Sequence, residues 1–145
     1  MLVPSDYLDD IKLTAPIVER IETIIKFYED LLPETVNGIF VSETKDSDGQ
    51  TIYSSLWLFT QQFICEAHDF LTIDSFDSAT LQDQFKHWIL KQESFTLGAA
   101  TTKSRMSLRY TTIHGSTGVL QASGLNCEHL HSVLKEIVVP NTRND

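Results

Sequence analysis

The chain has 145 residues, 41% of them hydrophobic and 21% charged, ordinary globular usage that suits one domain, 1–145, with a core needing no staples. Its formal charge of −9 argues against general nucleic-acid binding, because a duplex would repel it. The two cysteines, Cys65 and Cys127, stand apart from any CxxC pair, and free thiols of a reducing compartment are expected.

Residues 1–13 lack the basic start and apolar centre of a signal peptide. Asp6, Asp9 and Asp10 alternate there with Tyr7, Leu8, Ile11 and Leu13, a pattern that allows a short helix or a loose acidic arm. No apolar run nears the roughly 18 residues a membrane helix needs. A cytoplasmic location is therefore expected.

A helix is predicted over 14–32. Thr14 stands where a side-chain oxygen caps a first turn, and Pro16 sits where its missing N–H costs nothing. Val18, Ile21, Ile25, Tyr28 and Leu32 recur at spacings of three and four, widened by Ile17, Ile24 and Leu31. Pro33 ends the pattern by pushing its predecessor out of helical geometry. A face this broad calls for a sheet to cover it, or for a second copy of the helix in a homodimer.

From residue 36 to 123 the period is two. "VNGIFVSE" reads as a strand, and "KDSDG" at 45–49 then poses a choice between a calcium loop and a turn. With Gly49 at the sixth loop position, Thr44 falls at the first and Ser55 at the twelfth, so both defining carboxylates are missing. The stretch is a hairpin turn, with Asp and Gly tolerating its positive φ. "TIYSSLWLFT" becomes apolar on both faces near its end, as a covered central strand does. A third strand runs through Phe63, Cys65 and Ala67, opposed by Ile64, Glu66 and His68, and a short one is possible around Phe76. In the next, Phe85, His87 and Ile89 share one face and Lys86, Trp88 and Leu90 the other. Met106, Leu108 and Tyr110 face inward, while Arg105, Ser107, Arg109 and Thr111 face outward. After "HGSTG", which lacks the lysine of a phosphate loop, "VLQAS" is the last strand. A helix over 126–139 closes the chain, capped by Asn126 and striped by Leu130, Val133, Leu134 and Ile137, before a frayed polar tail "NTRND".

The expectation is an α+β fold: an N-terminal amphipathic helix, six or seven antiparallel strands in a curved sheet or partly open barrel, and a C-terminal helix. Over 36–139 this element order resembles pleckstrin-homology-like domains. The alternative is a cystatin-like or nuclear-transport-factor-like cone wrapped around the first helix.

No residues are assigned to catalysis, to a metal or to a cofactor. Glu66 and His68 share a strand face, but without a third ligand they read as a solvated strand end. His129 and His131, two apart on a helix, do not face each other. Cys127, in a first helical turn, is the more reactive thiol by position, yet a structural role is favoured. The local charge stands out. Between Phe85 and Gly118, five basic residues (Lys86, Lys91, Lys103, Arg105, Arg109) meet one acid, Glu93, giving +4 against −13 elsewhere. The expected function is a non-catalytic adaptor that binds a protein or peptide through Arg105, Arg109, Lys86 and Lys91. The alternative is a small-molecule or enzymatic pocket lined by Trp57, Phe59, Trp88 and Tyr110, with His68 or His87 as polar groups.

Overall fold

Two prolines and a change of hydrophobic period set the first boundaries. The computed structural model describes residues 1–97 and 101–143. Helix α1 is Pro4–Ile11 and helix α2 is Ala15–Leu31. Seven strands follow: β1 (Gly38–Lys45), β2 (Thr51–Phe59), β3 (Phe63–His68), β4 (Phe76–Thr80), β5 (Phe85–Leu97), β6 (Thr101–Thr112) and β7 (Thr117–Ser123). Helix α3, Asn126–Val133, runs on into a π-helical turn at Leu134–Val138 and a 3-10 turn at Val139–Asn141. The fold is α+β, and every strand pair is antiparallel. The strands form two sheets, ordered β1-β2-β3-β4 and β5-β6-β7. Neither sheet closes on itself. No described helix is long and apolar enough to cross a membrane. The chain divides into two compact units, Met1–Leu81 and Gln82–Asp145.

In the first unit, α1 is held by tertiary contacts. Tyr7 and Leu8 are buried, and the Tyr7 hydroxyl accepts a hydrogen bond of 2.8 Å from the Val41 N–H. These anchors lie far along the chain, which is why local sequence leaves α1 undecided. Thr14 occupies the N-cap of α2 but its hydroxyl makes no capping bond; its carbonyl takes the Val18 N–H at 3.0 Å. Burial is narrower than the periodic face: Ile21, Ile24 and Tyr28 are buried, while Leu31 is 62% exposed. Leu32 turns extended before Pro33, as expected. Arg20 clamps the chain beyond β3 onto the helix. Its Nε donates to the Phe70 carbonyl at 2.6 Å, and its Nη2 meets the Asp74 carboxylate at 2.6 Å.

The hairpin between β1 and β2 settles the "DSDG" choice. Oδ1 of Asp46 accepts the N–H groups of Asp48 and Gln50, each at 2.9 Å, and Gly49 has φ 78°. The carboxylate is occupied by its own turn. Strand β2 is central, and from Ser55 to Phe59 every residue is buried. Leu56 and Leu58 line one sheet face with Ile39, Val41, Cys65 and Ala67. Trp57 and Phe59 line the other with Phe40 and Ile64.

In the second unit, β6 is the central strand and its two faces differ. Met106, Leu108 and Tyr110 are buried, as are Leu120 and Ala122 of β7. Helix α3 lies against β6 and β7, burying Leu130 and Val133. Tyr110 lays its ring over Gly118, its direct partner across the ladder, so a Cβ there would collide with the phenol. The cap of α3 falls on Leu125, and Asn126 is the first helical residue, buried rather than capping. Pro140 cannot donate to the preceding turn, and side chains compensate. Asn141 Nδ2 donates to the Ile137 carbonyl at 2.7 Å and the Thr142 hydroxyl to the Val138 carbonyl at 2.6 Å. The expected frayed tail is tied down as far as it is described: Thr142 bridges Phe85, whose carbonyl accepts the Arg143 N–H at 2.7 Å. Residues 144 and 145 lie outside the described part.

Candidate functional site

Charge divides as the units do. Residues 1–81 hold fifteen acidic and four basic residues, a formal −11; residues 82–145 hold five acidic and seven basic, a formal +2. The positive segment seen in the sequence therefore belongs to one unit and to its three-stranded sheet.

Residues paired directly across an antiparallel ladder project from the same face. The register thus defines rows on the outward face. One row is Ile89, Arg109 and Val119; the next is Lys91, Ser107 and Gln121; the third is Glu93, Arg105 and Ser123. His87, Thr111 and Thr117 form a fourth row at the other end. Arg105 and Arg109 are exposed, and Ile89 is 53% exposed. The two arginines are roughly 13 Å apart at strand rise. Lys91, opposite Ser107, lies diagonally between them. Its Nζ is 3.4 Å from the Glu93 carboxylate, and both side chains are well solvated. Among the described residues, no carboxylate comes within ion-pair distance of Arg105 or Arg109. The face can therefore offer two uncommitted guanidinium groups, each able to grip a carboxylate or phosphate through paired donors.

Lys86 is exposed but stands apart. Phe85 pairs with Thr112 and His87 with Thr111, leaving Lys86 as the extra residue of a β-bulge. The same bulge changes the strand's predicted parity. Phe85 turns inward, fully buried, with its ring centroid 4.8 Å from that of Tyr110, while His87 and Ile89 remain exposed. The side chain of Lys103 lies outside the described ones. Sequence reasoning missed Ile89 and Val119 as parts of the surface, and counted Glu93 only as an acid. The signal was the alternation 89, 91, 93 together with the pairing register, which a single sequence does not supply.

The residues of the alternative pocket fall in both units. Trp57 is buried in the first, in the row Phe40, Trp57, Glu66, Asp77. Phe59, two residues on, shares its face and is also buried. Trp88 and Tyr110 oppose each other directly on the inner face of the second unit's sheet, with Trp88 half-buried. His87, next in chain to Trp88, is on the outward face and exposed, away from the inner face that carries Trp88 and Tyr110.

The structure brings Glu66 and His68 together. The imidazole Nε2 is 3.2 Å from the carboxylate, with His68 solvated and Glu66 largely covered. Burial raises the Glu66 carboxyl above its ordinary value, opposed by His68 and the Ser55 hydroxyl and reinforced by Asp77, its partner across the ladder. Among the described residues, no three of His, Cys, Asp and Glu are placed to hold a metal. Cys65 is buried, and desolvation pushes its thiol up, away from the nucleophilic thiolate, although the Ser78 hydroxyl 3.3 Å away pulls the other way. The neighbouring Tyr28 phenol is raised too, chiefly by burial.

Comparison with protein-family models, with curated proteins and with solved structures finds no match.

Proposed function

We propose that the chain is a non-catalytic binding module that recognises a protein or peptide through the outward face of β5–β7. The observation that carries the reading is the pair of exposed, uncommitted arginines on β6, flanked by Ile89 and Val119. Cations beside aliphatic side chains on an exposed sheet face are the makings of a recognition surface. The run of antiparallel strands closed by α3, an order that resembles pleckstrin-homology-like domains, supports the same reading. The two buried cysteines, not joined in a disulfide, support a reducing compartment, the cytoplasm, as its place of work.

Photo-crosslinking tests this. A photoreactive residue placed at Ser107, between the two arginines, is expected to yield discrete adducts in cells. The same residue at Glu22, exposed on α2, is the control. Adducts from Glu22 with none from Ser107 would overturn the reading.

A further inference from the structure

We infer that the occupant of this face is an extended peptide segment with two carboxylates four residues apart beside an aliphatic side chain, and that Glu93 competes with it. The inference rests on the binding reading above and names the partner's chemistry.

Three features of the face select that chemistry. First, Arg105 and Arg109 are four residues apart on one strand, and an extended peptide repeats its same-face positions at the same spacing. Carboxylates at positions i and i+4 of such a segment match the two guanidinium groups, roughly 13 Å apart at strand rise. Second, Arg109 lies between Ile89 and Val119 in its row, so the surface around that cation is aliphatic. A peptide side chain can cover it, and a sugar–phosphate backbone has nothing to place there. Third, the positive charge is thin. Among the described side chains, Lys91, Arg105 and Arg109 share the face with Glu93, on a chain of net charge −9. Lipid surfaces are held by clusters of about 4–8 basic residues. A duplex or an anionic bilayer calls for a longer track of cations than the described ones provide, whereas a short segment with two charges is matched by the local cations, since screening acts over about 10 Å at 0.1 M salt.

Glu93 gives the proposal its sharpest handle. It is the direct ladder partner of Arg105 and its carboxylate already contacts Lys91. An exposed pair of this kind contributes little to stability and yields to an incoming carboxylate. Glu93 thus holds a negative charge, from within the chain, beside the position at Arg105 that the partner's acid takes.

The test is selection of a displayed library of random dodecapeptides on the full chain, with titration of the enriched peptides at about 0.1 M salt. Enriched sequences are expected to carry Asp or Glu pairs four residues apart with Val, Ile or Leu nearby, and to be poor in Lys and Arg. Replacing their acids by Asn or Gln, or testing Arg105→Glu/Arg109→Glu, is expected to weaken binding about ten-fold or more, and Glu93→Gln to tighten it about two- to five-fold. Tightening cannot come from a damaged fold. Circular dichroism is the check that the exposed arginine variants fold. Enriched peptides that lack acids yet are blocked by Ile89→Glu overturn this inference and leave the binding reading standing. A single-stranded oligonucleotide or anionic phosphatidylserine vesicles binding more tightly than any peptide also overturn it, in favour of a polyanion. If no peptide is enriched on the wild type over Ile89→Glu, both readings fall.

Discussion

The two inner strands β2 and β6 alternate their side chains between two faces in the same way and end in different surroundings. In β2, Trp57 and Leu58 point to opposite faces and both are buried, so the four-stranded sheet has no open side along that stretch. In β6, Leu108 is buried and Arg109 is exposed, so the three-stranded sheet has a closed side and an open one. The first arrangement uses both faces for stability. The second leaves one face open to solvent, and Arg105 and Arg109 stand there. What distinguishes a sheet covered on both sides from one with an open side is therefore whether successive residues on an inner strand both disappear from solvent.

The largest effects come from testing that contrast in the cores. Trp57→Ala is expected to cost about 3–5 kcal/mol and Leu58→Ala about 2–5 kcal/mol in urea unfolding, because each vacates a filled space. Adjacent positions in β6 are expected to split: Leu108→Ala costs about 2–5 kcal/mol, whereas Arg109→Ala stays within about 0.5 kcal/mol of wild type. A costly Arg109→Ala would make the open face a structural one and break the comparison.

Gly118→Val is expected to cost about 1–3 kcal/mol by forcing the Tyr110 ring off its seat. The near-ultraviolet dichroism of the aromatic cluster should change with it. An unchanged spectrum and stability would mean that the ring does not depend on that glycine.

A smaller effect concerns the largely covered carboxylate of the first unit. The Glu66 carboxyl holds its proton to higher pH in the folded chain than in the unfolded one, chiefly because burial disfavours the ion. Between the ordinary value and the raised one, the folded state binds more protons, so this group's contribution to stability falls as pH rises through that window. Glu66→Gln is expected to remove that fall and to raise stability at neutral pH. Stability measured across pH 4 to 8 checks it, and a slope surviving in the variant would assign it elsewhere.

The legible parts of the fold were those set by local period and local chemistry. The alternation of residues 105–111 and the three-four spacing of α2 each report which side chains share a face; the strand came out as the pattern implies, while α2 buries only the narrower stripe Ile21, Ile24 and Tyr28. Asp46 and Gly49 announced a turn through backbone preferences that act within four residues. The seven strands did not announce which of them pair. Partition into sheets of four and three depends on the break between β4 and β5, where Asp83 adopts φ 50°, and on ladder contacts remote in sequence. The bulge at Lys86 was hidden for a related reason: one inserted residue reverses the parity of Phe85 without altering composition. Helix α1 depends on Tyr7 reaching Val41, a contact 34 residues away. At the candidate surface, Arg105 and Arg109 were visible from alternation alone. Ile89, Val119 and Glu93 joined them only through the register.

The most direct measurement is a titration of the full chain with a decapeptide bearing two aspartates four residues apart around a valine, followed by backbone amide resonances. The account predicts shifts in residues 87–93, 105–111 and 117–123, quiet resonances in residues 1–81, and loss of the shifts in Arg105→Glu/Arg109→Glu. Shifts centred in residues 1–81, or shifts that survive the double charge reversal, would contradict it.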